Sequence, residues 1–275
     1  MRLNNLTGAW LLLWPCIWSI ILASTHFLHL LWIPVFVVGA IIMRSAGCVI
    51  NDIIDIKLDK QVERTKNRPL ANGELTTAQA WLVFGILMLG GFVILLTMGK
   101  TSMTLGLIAV TLIIIYPFAK YYIKYPQFIL GLVFNFGALL GWTAVNRELS
   151  LAPILLYSGS FFWIVYYDTI YAHQDKKDDI EAQVNSTALT PFGTKKWLTR
   201  FYRLALSLWA FGGALSFANI LYYLTIVIMI VLLHKQLKKL DLDDSESCKS
   251  AFEFNSKIGM ILCVGAFLGK LHEFI

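Results

Sequence analysis

The chain has 275 residues, of which 57% are hydrophobic and 15% charged, and its mean hydropathy is +0.67. Soluble globular domains carry roughly 25% charged residues, so a water-soluble domain and a disordered chain are both excluded, and most of this chain belongs in lipid. The net charge of +6 is not a nucleic-acid footprint, because the basic residues are interleaved with apolar runs and gather on one membrane face. No nucleic-acid partner is expected; a lipid bilayer with anionic headgroups is.

A helix that spans a bilayer needs about 20 residues. The first charge-free run, Leu3 to Met43, therefore holds two helices that turn near His26 and His29. After a polar loop from Asn51 to Glu74 come single spans within Leu75 to Gly99, Thr101 to Ala119, Tyr125 to Asn146 and Leu149 to Tyr167. A second polar loop covers about residues 168–203. The run from Leu204 to His234 divides near Ser216 to Asn219 into two short helices, and Ile258 to Gly269 supplies the last span. The prediction is an all-α integral membrane protein, a single membrane domain over 1–275 with nine transmembrane helices. A third loop, Lys235 to Lys257, carries Asp241, Asp243, Asp244 and Glu246 and reads as a solvated connector.

With the N-terminus cytoplasmic, all 23 Lys and Arg except Lys100, Arg147 and Lys270 fall on the inner side, as the positive-inside rule requires. Both long loops then face the cytoplasm. The four cysteines show no C-x-x-C spacing and read as packing residues. Because the first apolar run begins almost at Met1 and leads straight into a second span, no cleavable leader is expected. The expected location is a bacterial plasma (inner) membrane.

Loops longer than a dozen residues are usually functional, and the two inner loops, 51–74 and 168–203, share a pattern. Each carries an Asp pair at i,i+4, Asp55 with Asp59 and Asp175 with Asp179, followed by a leucine and an apolar helix. This predicts a pseudo-repeat of helix groups with the two clusters facing each other across a central cavity. In the first cluster Asp52, Asp55 and Asp59 recur at three- and four-residue steps, which on a helix places three carboxylates on one face. Like charges so arranged repel unless a cation lies between them. Oxygen-only ligands with open positions suit Mg²⁺, which is held by one or two carboxylates plus substrate phosphates. The second cluster repeats the pair and adds Asp178, with Asp168 two turns earlier. Two metals can clamp one diphosphate as its carbon–oxygen bond breaks, and Arg64, Lys66 and Arg68 are placed to bind the remaining phosphate oxygens. His173 stands alone among carboxylates and reads as a hydrogen-bonding loop residue.

The string from Arg44 through Asn51, Asp52 and Asp59 to Arg64-Thr65-Lys66-Asn67-Arg68-Pro69-Leu70 resembles the first signature of the intramembrane aromatic prenyltransferases. Tyr167-Asp168-Thr169-Ile170-Tyr171-Ala172-His173-Gln174-Asp175, with Asp178 and Asp179, resembles the second. Leu11-Leu12-Leu13-Trp14-Pro15, Tyr116-Pro117, Lys120, Pro126-Gln127 and Ser186-Thr187-Ala188-Leu189 extend the likeness over nearly the whole chain. Within that superfamily the chain is most similar to the branch that acts on 4-hydroxybenzoate in ubiquinone biosynthesis.

The resemblance implies a polyprenyl diphosphate donor with its tail in the bilayer, 4-hydroxybenzoate as acceptor, and Mg²⁺ as cofactor. Diphosphate departs, the ring carbon ortho to the hydroxyl attacks the allylic cation, and loss of the ring proton restores aromaticity. It further implies Asn51, Asp52, Asp55 and Asp59 on one metal and Asp175 and Asp179 on the other, with Asp55, Asp59, Asp175 and Asp179 as the catalytic set. Asn51, Arg64, Arg68, Lys120 and Lys176 fall to the diphosphate, Arg44 to the acceptor's carboxylate, and Tyr171 with Tyr116 to the cation. The chain departs from the family where Asn4-Asn5-Leu6 replaces Asp-Lys-Pro, where Gln183-Val184-Asn185-Ser186 replaces Gly-x-Lys-Ser, and in having Lys177 within the second motif. Asn185 removes one phosphate contact for which Lys176 or Lys177 can substitute. The rival reading is a transporter, whose coupling charges normally sit mid-membrane; here the conspicuous polar residue within a span is Asn135.

Overall fold

The computed structural model describes residues 7–62, 65–181 and 183–275, with Lys120 described by its backbone alone. Its helices are α1 (Thr7–Ala23), α2 (Trp32–Ile54), α3 (Ile56–Asp59), α4 (Thr77–Leu96), α5 (Lys100–Ile115), α6 (Ala119–Tyr122) and α7 (Pro126–Val133). They continue as α8 (Phe136–Asn146), α9 (Leu151–Ala172), α10 (Lys176–Glu181), α11 (Lys195–Leu215), α12 (Ile220–Lys239) and α13 (Ser245–Lys270). No strand occurs among the described residues. The protein is all-helical, and six of its helical stretches are long and apolar enough to cross a membrane.

Local sequence sets the helix ends. Thr76 and Gln79 form a reciprocal capping box at the start of α4, and Asn219 and Asp244 accept from the first free amides of α12 and α13; each satisfies donors that a helix start leaves orphaned. The turn near His26 and His29 forms as expected, with the His26 side chain capping the short helix at Phe27–Leu31. The chain also turns at Ser216 to Asn219, where Phe217 takes φ 56°.

Two expectations fail here, for one reason. The helices either side of that turn are long, not short, because α11 begins at Lys195 and α12 runs to Lys239. Likewise Lys235 to Lys257 is not a solvated connector: α12 and α13 continue into it and leave only residues 240–244 between them. A charged residue ended the apolar runs in the sequence, but at a membrane surface charge occupies one helix face while the other stays buried. Leu233 and Leu237 on α12, and Cys248, Ala251, Asn255 and Ile258 on α13, are buried at helical spacing between exposed charges.

Around α9 the helices pack tightly. Trp18, Trp163 and Trp209 meet in tilted and edge contacts at 5.1 to 5.6 Å. Their ring nitrogens are tied in where a partner is near: Trp163 Nε1 donates to Asn255 Oδ1 (3.0 Å) and Trp209 Nε1 to Ser160 Oγ (3.1 Å). By contrast α4, of which Ala80, Phe84 and Leu95 are buried, turns most of its surface outward, as a lipid-facing helix does. Small residues let helix backbones approach: a Cβ on Gly141 would lie 2.7 Å from the Cys16 carbonyl oxygen, where backbone cannot give way. Gly141→Ala is therefore expected to destabilise the α1–α8 contact by about 1–3 kcal/mol, read as a lower midpoint in thermal unfolding in detergent.

Asn135 marks a break, not a coupling site. It separates α7 from α8, and its Nδ2 donates to the Tyr157 carbonyl oxygen, which ties the break to α9.

Candidate active site

The first cluster is not one continuous helix. α2 ends at Ile54, Asp55 adopts φ −91°, ψ 7°, and α3 resumes at Ile56. The bend keeps Asp52, Asp55 and Asp59 together: Arg68 Nη1 lies 3.1 Å from Asp52 Oδ1 and 2.6 Å from Asp59 Oδ2, so one guanidinium bridges two of the three carboxylates. Asp55 accepts instead from the Tyr121 hydroxyl at 2.9 Å. Asp55 and Asp59 are both buried. Burial pushes the Asp59 carboxyl above its ordinary range, and the Arg68 guanidinium pulls back against that shift. The Tyr121 phenol is pushed up by burial and by the adjacent Asp55 charge, and so stays protonated and donating.

Tyr121 is a residue that the sequence reading missed. It lies just after Lys120 in a run of tyrosines with no spacing signal, and only the fold brings α6 beside Asp55. Tyr121→Phe is expected to cost prenyl transfer a few-fold, about the loss of one charge-assisted hydrogen bond, with the Mg²⁺ requirement rising alongside when activity is titrated against the metal. Arg64, and the side chain of Lys120, lie outside the described residues.

The second cluster is likewise broken, into the end of α9, a short turn at His173–Asp175 and α10. Asp168 belongs to α9, and Asp175 lies within electrostatic reach of it. Asp178 is exposed, while Asp175 and Asp179 are half-buried. Lys176 pairs with Asp243 at 3.5 Å, linking this cluster to the α12–α13 connector. His173 behaves as a structural residue: its Nε2 pairs with the Gly193 carbonyl oxygen at 3.1 Å, and burial lowers its pKa.

A cavity of about 310 Å³ with polar and charged groups in its wall lies beside the ends of α2 and α9. The motifs contribute Arg44 and Asn51 from α2 and Tyr167, Asp168 and Tyr171 from α9; Tyr116 and Phe252 close it. Among the described residues, Asp55, Asp59, Asp175 and Asp179 stand outside this lining. The Arg44 guanidinium sits 5.6 Å from the Phe134 ring centroid, and a Cβ on Gly8 would meet it at 2.7 Å, so Gly8 leaves it room. A second, apolar cavity of about 480 Å³ adjoins the first, and the two share Leu12, Met43, Ile113, Val133 and Phe134. Leu89, Phe92 and Leu107 line the apolar cavity and are also exposed on the outer surface.

Among the described residues no three acidic, His or Cys groups form a closed metal cage. That fits the donor chemistry: Mg²⁺ binds through one or two carboxylates and completes its shell with water and substrate phosphates. The oxygen-only donors of the first cluster, of which Asp52 and Asp59 are drawn together on Arg68, are of the type that requirement calls for.

The model of the UbiA prenyltransferase family matches residues 12–260. The chain belongs to this family. Over 98% of its length it is 43% identical to the mitochondrial 4-hydroxybenzoate polyprenyltransferase of Caenorhabditis elegans, spanning 77% of that protein. It is 40% identical over 99% of its length to the enzyme of the same name from Aedes aegypti, spanning 63% of it. Among solved structures, the apo UbiA homologue of Aeropyrum pernix K1 superposes with a TM-score of 0.79 at 19% identity, covering 96% of this chain and 98% of that one. The UbiA homologue of Archaeoglobus fulgidus, bound to GPP and Mg²⁺, does so with a TM-score of 0.66 at 16% identity, covering 94% and 96%. At these identities the structural likeness speaks for the fold alone.

Family membership makes the protein a prenyltransferase and removes the transport reading. It also corrects the expected location: relatives about 40% identical over nearly all of this chain, from animals and from Arabidopsis thaliana, are named as mitochondrial enzymes, not as bacterial plasma-membrane proteins. Hydropathy and the one-sided distribution of Lys and Arg report a bilayer and its basic face, and those signals are the same in any membrane that obeys the rule. The multi-pass membrane character is unaffected.

Proposed function

We propose that the protein transfers a polyprenyl group from polyprenyl diphosphate to the ring carbon ortho to the hydroxyl of 4-hydroxybenzoate, with Mg²⁺ as cofactor, a step of ubiquinone biosynthesis. The observation that carries this reading is the pair of joined cavities, one polar and holding Arg44, Asn51 and Asp168, the other wholly apolar in its lining residues. A donor with an anionic head and an isoprenoid tail has the same two-part character. The names of the relatives supply the acceptor.

Asn51, Asp52, Asp55 and Asp59 would hold one Mg²⁺ and Asp175 and Asp179 the other. Bound Mg²⁺ supplies the charge neutralisation that lets diphosphate leave. Arg68, which bridges Asp52 and Asp59 in the free protein, would turn to a phosphate oxygen when diphosphate enters, with Arg64, Lys120 and Lys176 as further cationic donors. The apolar cavity holds the isoprene units nearest the reacting carbon and excludes water from the allylic cation. Tyr171 and Tyr116, which line the polar cavity, would stabilise that cation through their rings. Arg44 receives the acceptor's carboxylate and so orients the ring.

Nine crossings follow: α1, α2, α4, α5, the α7–α8 pair, α9, α11, α12 and α13, with the N-terminus and both motifs on the basic face. The whole of 1–275 forms a single membrane domain, a pseudo-repeat in which the ends of α2 and α9 correspond.

Membranes containing the protein, supplied with Mg²⁺, a polyprenyl diphosphate and 4-hydroxybenzoate, are expected to yield 3-polyprenyl-4-hydroxybenzoate. Chelation of the metal should abolish product, and added Mg²⁺ should restore it. Product from other phenols but none from 4-hydroxybenzoate would overturn the acceptor, and product undiminished by chelation would overturn the metal.

A further inference from the structure

Buried phenols and indoles around α9 generally have partners. Tyr166 donates its hydroxyl to Gln236 Oε1 at 3.0 Å, Tyr222 to the Trp209 carbonyl oxygen at 2.9 Å, and Trp163 and Trp209 are bonded as described above. Tyr167 is different. It is 2% exposed, and its hydroxyl has no partner among the described residues. Trp18 Nε1, Asn135 Oδ1, His173 Nδ1 and Gln174 Nε2 are also unpartnered among the described residues, but none of these residues lines the polar cavity, and Tyr167 does.

Burying a hydroxyl without a partner costs desolvation energy, and phenylalanine would fill the same space without that cost. The Tyr167 ring is fixed by Trp163 at 5.0 Å and Phe252 at 5.7 Å. Its phenol lies within electrostatic reach of the adjacent Asp168 on α9, and then of Arg44 on α2 and of Tyr116, all of which line the cavity. The hydroxyl is thus held beside the one cavity-lining cation described here, on a rigid helix, with its hydrogen-bonding capacity unused.

We propose that Tyr167 is a specificity-determining residue whose hydroxyl donates a hydrogen bond to the carboxylate of the aromatic acceptor, alongside Arg44. This rests on the acceptor reading above. A carboxylate offers about four acceptor sites, more than one guanidinium fork fills. Arg44 is confined between Phe134 and Gly8, so a second donor on the α9 wall fixes the plane of the carboxylate and with it which ring carbon faces the allylic cation.

The test uses the full chain in membranes with saturating Mg²⁺. Wild-type protein is assayed first: failure to prenylate 4-hydroxybenzoate would count against the function itself. In Tyr167→Phe the KM for 4-hydroxybenzoate is expected to rise about tenfold, the effect of one hydrogen bond to a charged group. The KM for polyprenyl diphosphate should stay within about twofold of wild type, and the unfolding midpoint should hold or rise, because an unpaired buried hydroxyl has been removed. Competition separates the two ends of the acceptor: inhibition by benzoate should weaken in the variant while inhibition by phenol does not change. An unchanged KM for 4-hydroxybenzoate, a shift of both KM values together, a fall in the unfolding midpoint, or no benzoate inhibition of wild type would each overturn the proposal.

Discussion

Asp55→Asn and Asp175→Asn are each expected to reduce prenyl transfer by about 10²–10³-fold, the loss typical when one element of a preorganised electrostatic site is removed. Asparagine keeps the size of the side chain and removes its charge, so packing is preserved while the affinity for a hard cation falls. The change at Asp55 is the cleaner one, because that carboxylate is buried, sits at the bend between α2 and α3, and is oriented by Tyr121. Asp178, exposed on α10, serves as the control; Asp178→Asn should stay within about twofold of wild type, as surface changes away from a site do. The measurement is product formed per mole of folded protein across a Mg²⁺ titration. Full activity in either Asp55→Asn or Asp175→Asn would refute the two-cluster mechanism.

Arg68→Ala should fail in a different way. The guanidinium bridges Asp52 and Asp59, and removing it leaves Asp59 buried with like charge nearby and, among the described residues, no counter-ion. Breaking a buried pair from one side costs about 3–5 kcal/mol; with Arg68 and Asp52 each 17% exposed at the side chain, the expected loss lies at the lower end. The unfolding midpoint in metal-free buffer should therefore drop, and Mg²⁺ should recover part of the loss by taking over the role of counter-ion. Arg68→Lys restores the charge but not the fork, and is expected to regain stability before activity. A midpoint for Arg68→Ala equal to wild type would show that the bridge contributes nothing to the free protein.

Much of this was legible in the sequence, because lipid imposes strong and simple constraints. Apolar runs of bilayer length, with most basic residues gathered in the connections between alternate runs, revealed the all-helical membrane character. The repeated i,i+4 aspartates pointed to the ends of α2 and α9. What the sequence could not show was where helices stop near the surface. Lys235 and Lys257 looked like loop residues, yet Leu237 and Asn255 beside them are buried, since a helix at the interface carries charge on one face only. Tyr121 was invisible because its role is a contact with Asp55, 66 positions away. Tyr167 could be read as part of a motif but not as unpartnered, which is a property of the assembled core. The location was out of reach because hydropathy reports thickness and sidedness, and two membranes can agree in both.

Leu89, Phe92 and Leu107 belong at once to the wall of the apolar cavity and to the outer surface of the bundle. On the proposed function, the two substrates therefore arrive from different phases: the acceptor is dissolved in water, and the donor is dissolved in the bilayer. The donor concentration that governs the rate is then its mole fraction among lipids, a two-dimensional quantity. Inert phospholipid added to a fixed amount of protein and donor slows turnover by surface dilution, although nothing has changed in the bulk.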